Sequence, residues 1–252
     1  MRSRRTLNAK QKDRRAFLQA AGAAAVALVG NLPFAALAQT GTSAKMKIGT
    51  VGSGRVGSAI GGAWVKAGHE VMFSSLDLEA DKKLAARLGA GARAGTPREA
   101  AAFGAVLLVS VPYTALPGLG RDLGELIKGK IIIDTSNPIV ARDGEMAVAA
   151  REKGAGIASQ EFLPGARIVR AFNAIGAARM AEAASKSERV GMPIAGDDPD
   201  AIGVASALIR DVGYEPVLVG TLAAMGKYLI PGTPLAGERS PEEIRKVAAT
   251  LK

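Results

Sequence analysis

The sequence predicts a single α/β domain built on a doubly wound, mainly parallel sheet with helices on both faces. Three observations predict it. Short apolar runs of strand length alternate with helix-period segments along most of the chain. Two of those runs, Val106 to Val111 and Ile131 to Ile133, carry almost no polar residues, as strands buried on both faces of a parallel sheet require. Glycine is abundant at 31 of 252 residues while aromatics are only 4%, a balance that favours glycine-turn α/β architecture over an aromatic-rich β-sandwich.

The first 38 residues stand apart. A basic region (Arg2, Arg4, Arg5, Lys10, Lys12, Arg14, Arg15) precedes an apolar stretch from Ala20 to Leu32 and then Ala36-Leu37-Ala38. This order predicts a signal peptide cleaved after Ala38. Asp13-Arg14-Arg15-Ala16-Phe17-Leu18-Gln19 resembles the twin-arginine export motif, so a periplasmic location is expected. An uncleaved membrane anchor is the competing reading, but the apolar stretch is short and interrupted by Asn31 and Pro33. Removing the leader takes away seven basic residues and one acidic one, so the formal +10 falls to +4, from 26 basic and 22 acidic residues. No block of like charge remains, which argues against nucleic-acid binding. No membrane contact is expected once the leader is gone.

Residues 39–45 read as a polar linker, 46–237 as the nucleotide-binding domain and 238–252 as a terminal capping helix. In order, the patterns predict a strand over Met46 to Val51, a helix from Ser58 to Ala67 stopped by Gly68, and a strand Val71 to Phe73. A helix follows over Asp77 to Leu88, closed by Gly89, and Thr96-Pro97-Arg98-Glu99 is a capping box opening a helix through Ala102. After the two buried strands come helices near Glu145 to Lys153, Ala174 to Ala184 and Pro199 to Asp211. Strands Ile168 to Ala171, Val190 to Ala195 and Pro216 to Val219 are interleaved with them. Tyr228 to Gly237 reads as loop, and Ser240-Pro241-Glu242-Glu243 caps the last helix.

Gly52-Ser53-Gly54-Arg55-Val56-Gly57 fits G-x-G-x-x-G between the first strand and first helix, the position that makes the pattern a Rossmann-like dinucleotide fingerprint. Gly52 serves the tight turn, Gly54 lets backbone approach a pyrophosphate, and Gly57 lets helix pack on strand. At the end of the second strand, where NAD-specific versions carry an acid, the chain has Ser74-Ser75-Leu76. This favours NADP while leaving NAD open; Arg55, Lys82 or Lys83 could supply a cation for the 2′-phosphate. Val111-Pro112-Tyr113 and Asp134-Thr135-Ser136-Asn137-Pro138 follow two central strands and are placed to flank the nicotinamide, although turn chemistry alone also explains them. With no cysteine and a lone His69 in a turn at the opposite end of the sheet, no metal site and no catalytic acid or base is singled out.

With these motifs in order, residues from Met46 to about Gly237 resemble the F420-dependent NADP reductase family. The likeness is carried by Met46-Lys47-Ile48-Gly49 with the glycine loop, Ala67-Gly68-His69-Glu70-Val71, Val109-Ser110-Val111-Pro112-Tyr113, Asp134 to Pro138, Val169-Arg170-Ala171-Phe172-Asn173 and Pro193 to Asp198. The resemblance implies hydride transfer between NADP(H) and the deazaflavin F420, or a flavin as second carrier. It places NADP on the glycine loop and Ser75, with Ser110, Pro112, Tyr113, Ala171 and Asn173 along the nicotinamide cleft. Family members often carry arginine after that serine; here the residue is Leu76. A small-molecule redox carrier is the expected partner, and a homodimer remains open. The competing readings are an exported, non-catalytic nucleotide-binding module, and a reductase of ferric chelates or small imines.

Overall fold

In the computed structural model, which describes residues 44–180 and 189–251, the apolar runs form one eight-stranded sheet. The first half alternates β1 (Lys47–Val51), α1 (Arg55–Lys66), β2 (Glu70–Ser74), α2 (Leu78–Leu88), β3 (Ala92–Ala94), α3 (Pro97–Phe103) and β4 (Val106–Val109). Then come α4 (Leu116–Leu123), β5 (Ile131–Asp134), α5 (Val140–Lys153), α6 (Ala155–Phe162), β6 (Arg167–Arg170) and α7 (Ala177–Met180). The chain closes with β7 (Gly191–Gly196), α8 (Pro199–Asp211), β8 (Glu215–Gly220), α9 (Leu222–Met225) and α10 (Pro241–Thr250). The strand order is 3-2-1-4-5-6-7-8. The topology therefore reverses between β1 and β4, which in open α/β sheets places the ligand crevice at their carboxyl ends.

Alternate residues of the central strands feed opposite layers, as the pleat dictates. Val106 and Leu108 join Ile48, Ile60, Trp64 and Phe73 beneath α1 and α8, while Leu107 and Val109 join Tyr113, Leu116 and Leu163 beneath α4 and α6. Residues of both layers are buried, so the uninterrupted apolar runs are explained by burial on two faces. The Trp64 indole N–H donates to the Leu208 carbonyl at 2.8 Å and fastens α1 to α8. His69 accepts from the Met46 amide at 3.2 Å through Nδ1 and lies 3.0 Å from the Asp211 carboxylate through Nε2, a structural role at the amino ends of β1 and β2.

Local signals govern the helix ends. Thr96 and Ser240 form complete capping boxes with Glu99 and Glu243, and Asp77 and Asp198 cap α2 and α8. Several elements differ from the sequence expectation. The first helix starts at Arg55, one turn earlier than Ser58, because the glycine loop is shorter than its polar composition suggests. Within α5, Gly144 takes φ 57° and ψ −142°, so the regular stretch begins where the pattern places it, at Glu145. The short strand β3 and helices α4, α6 and α9 are further elements that the sequence expectation does not contain. One strand pair, β6 with β7, is antiparallel, since an apolar run reports burial and carries no direction. The leader (1–38) and the distal part of the helix expected over Ala174 to Ala184 lie outside the described residues. Among the described residues no helix is long and apolar enough to cross a membrane.

The adjacent glycines of α1 are separable. A Cβ at Gly61 would lie 2.5 Å from the Phe73 ring, whereas one at Gly62 meets Leu88 at an ordinary 3.5 Å. Gly62→Ala should therefore raise stability by about 0.5–1 kcal/mol through helix propensity, and Gly61→Ala should lower it by about 1–3 kcal/mol through overpacking. Urea unfolding of the two variants checks the opposite signs.

Candidate functional site

The site begins where β1 hands over to α1. Gly52 sits at φ +97°, a conformation that favours glycine, and a Cβ there would lie 2.2 Å from the Ser110 carbonyl oxygen. Its amide and that of Ser53 both donate to the Ser74 carbonyl, at 2.8 and 3.1 Å. One oxygen at the end of β2 thus clamps the whole turn. Gly57 is equally constrained, its Cβ position lying 2.0 Å from the Gly52 carbonyl oxygen. Gly54 is different: nothing lies within 4 Å of its Cβ position. No side chain caps α1, and its first turn holds no acid, so its amide groups and the positive end of its dipole point into open space beside Gly54. Val56 packs on the core from this turn while Arg55 is exposed.

A cavity of about 470 Å³ opens beside this turn, lined by Ser53, Gly54, Ser58, Ser75, Asp81, Lys83 and Arg87 among others. Arg87, one turn after Lys83 on α2, is a cation that the sequence reading passed over; the i, i+4 spacing on an exposed helix face was the available signal. Lys82 faces away and pairs with Glu79 at 2.8 Å. Arg55, Lys83 and Arg87 have no ionic partner among the described residues. Leu76, next to Ser75, is fully exposed. Asp81, also unanticipated, is buried and accepts the hydroxyls of Ser53 and Ser75, the latter at 2.8 Å.

On the other side of the crevice, Ser110, Val111 and Pro112 follow β4 at half-buried or exposed positions beside the glycine turn. Asn137 after β5 donates from Nδ2 to the Asn173 carbonyl at 2.8 Å, and Asn173 donates from Nδ2 to the Ser136 carbonyl at 3.3 Å. The Ser136 hydroxyl and the Asn137 and Asn173 side-chain oxygens are buried without a hydrogen-bond partner among the described residues. Buried polar atoms of this kind normally find partners, so three of them on neighbouring strand ends mark a place where a ligand can complete the set. Phe172 takes φ +62°, the single positive φ outside glycine among the described residues, and this strained turn directs the chain from buried Ala171 into Asn173. Beneath it, Arg170 and Asp134 form a fully buried ion pair at 2.5 Å, and Arg170 also donates to the Ser136 and Leu229 carbonyls at 3.0 and 3.1 Å.

Two expected site residues belong elsewhere. The Ser74 hydroxyl is buried and donates to the Thr50 carbonyl at 2.8 Å, so only its backbone serves the site. Tyr113 is fully buried, donating to the Ala155 carbonyl at 2.9 Å with its ring edge-on to Phe162. Burial pushes its phenol up to about 12, so it is neither a cleft wall nor a proton donor near neutral pH. A strand-end position does not reveal which way a side chain turns. No group of three or more potential metal ligands occurs among the described residues.

A glycine turn at a topological switch point, facing open amides and free cations, defines a dinucleotide-binding α/β protein. A family model described as NADP oxidoreductase coenzyme F420-dependent matches residues 47–138. The F420-dependent NADP reductase of Methanothermobacter marburgensis is 31% identical over 180 residues, covering 66% of this chain and 80% of that protein. Metalloreductase STEAP3 of Rattus norvegicus is 28% identical over 181 residues, which is 71% of this chain but 34% of that protein. Among solved structures, hypothetical protein SMa0349 from Sinorhizobium meliloti superimposes with a TM-score of 0.68 at 26% identity, covering 79% of this chain and 96% of that one. The chain belongs to the family of F420-dependent NADP oxidoreductases.

The placement of Tyr113 is open to a direct check. Tyr113→Phe should lower stability by about 1 kcal/mol, from the lost hydrogen bond, and leave dinucleotide affinity unchanged. A shifted dissociation constant at unchanged melting temperature would return Tyr113 to the cleft.

Proposed function

We propose that this chain binds NADP(H) along the glycine turn and exchanges hydride with a second flat redox carrier, a deazaflavin of the F420 type or a flavin, in the crevice between the ends of β1, β4, β5 and β6. The observation that supports it most is the pairing of an uncapped helix end at Gly54 with three unpartnered oxygens, on Ser136, Asn137 and Asn173, at the neighbouring strand ends. The first suits a pyrophosphate and the second suits the donor groups of a carboxamide or flat heterocycle. Gly52, Ser53, Gly54, Arg55, Val56 and Gly57 hold the diphosphate, and Lys83 and Arg87 face the 2′-phosphate across the subsite floored by Ser75, taking over from the arginine that Leu76 replaces. Ser110, Val111, Pro112, Asn137, Ala171 and Asn173 wall the nicotinamide side. When bound, the nicotinamide supplies or accepts hydride. The chain's own part is to align the two rings and exclude water, which requires no acid or base.

Export by the twin-arginine route belongs to the same proposal. It rests on the leader sequence, and a folded passenger can carry a tightly held cofactor across. A ferric chelate as terminal acceptor is the second reading, supported by the 28% likeness to the rat metalloreductase. Small imines and hydroxy acids fit less well, because beyond Asn173 the described residues continue as β7, α8 and β8 in the same sheet.

The test mixes the chain lacking residues 1–38 with NADPH and follows nicotinamide absorbance on adding F420, FMN or ferric citrate. Acceptor-dependent loss is expected with the deazaflavin or flavin; binding of NADPH without oxidation by any acceptor would identify a non-catalytic module instead. Gly54→Val should weaken NADPH binding by at least about tenfold by filling the open approach, and unchanged binding would overturn the turn assignment.

A further inference from the structure

We propose that the 2′ subsite of this chain accepts NAD as well as NADP, and that Asp81 is the positioning residue that sets the balance. The inference deepens the dinucleotide reading above and rests on it. Asp81 projects from α2 to the junction of the glycine turn and the end of β2, where its two carboxylate oxygens take the hydroxyl protons of Ser53 and Ser75. A serine hydroxyl has one proton to give. Both hydroxyls spend theirs on Asp81, and the Ser75 oxygen also accepts from the Asp77 amide at 3.1 Å, so each serine keeps a lone pair but no proton for a ligand. A ribose 2′-hydroxyl, which can donate, finds acceptors there; a 2′-phosphate, which near neutral pH chiefly accepts, finds none in the serines.

Donors for a phosphate come instead from Lys83 and Arg87, both exposed on the rim. Solvent screens such charges, so each is worth at most about fivefold in affinity. Leu76, fully exposed, adds no side-chain donor. The subsite thus carries an acceptor set suited to NAD at its base and a screened cation set suited to NADP at its edge, and neither excludes the other ligand.

Fluorescence titration of the chain lacking residues 1–38 with NADPH and with NADH measures this without turnover. Dissociation constants within about 30-fold of each other are expected, and a wider gap overturns the proposal. Asp81→Asn frees one serine proton, so it should tighten NADPH about fivefold relative to NADH; an equal change in both constants would reduce Asp81 to a scaffold and also overturn it. Should that variant fail to fold, Arg87→Ala on the exposed rim should weaken NADPH by about three- to fivefold and leave NADH unchanged, and a common or absent effect counts against the proposal. If the unmodified chain binds neither nucleotide, the fault lies with the dinucleotide reading itself.

Discussion

One carbonyl oxygen, that of Ser74, holds the site together. It receives the amides of Gly52 and Ser53, so the turn after β1 is fastened to the end of β2 before α1 begins. The opposite flank is closed by the Ser110 carbonyl, which leaves room at position 52 for a hydrogen and nothing larger. Pressed between two strand ends, the turn can leave only by the route that starts α1 at Arg55 with its first amides uncapped. The open amides follow from strand packing, because any side chain large enough to satisfy them would need the space beside Gly54.

The crevice has a second anchor in the Asp134 and Arg170 pair. Burying two charges costs much of what their attraction returns, so the pair is a poor device for stability as such. Its value here is positional. The guanidinium reaches the Ser136 and Leu229 carbonyls, which links the loop after β5 to the segment that precedes α10, across the place where β7 turns antiparallel to β6. With that frame fixed, Phe172 can be held in a left-handed conformation and Asn173 set beside Asn137. Strain at one residue is sustained by contacts made at several others.

Features written in adjacent residues were legible from the sequence. Thr96 with Glu99, Ser240 with Glu243, the span of α8 from Pro199 to Asp211 and the glycine spacing each express a rule that acts within one turn. What stayed hidden depends on residues far apart in the chain. The inward turn of Tyr113 is decided by the carbonyl of Ala155, and the role of Asp81 by hydroxyls 28 and 6 residues upstream. In sequence Asp81 is one more charge on a charged helix. The antiparallel β6 and β7 pair was hidden for a related reason, since Val169 and Ile194 look the same to a hydropathy pattern whichever way their strands run.

The same long-range contacts narrow the chemistry. Oxidising a hydroxy acid requires a group that can take up a proton beside the substrate. In the described part of this crevice the candidates are already committed. His69 lies at the far end of the sheet between Met46 and Asp211, Tyr113 is locked in the core, and Asp134 is bound to Arg170. What remains at the strand ends is a set of amide and hydroxyl oxygens that can orient a ring but do not titrate near neutral pH. A crevice so furnished suits a dinucleotide that brings its own redox chemistry, with the protein fixing where its reactive ring lies.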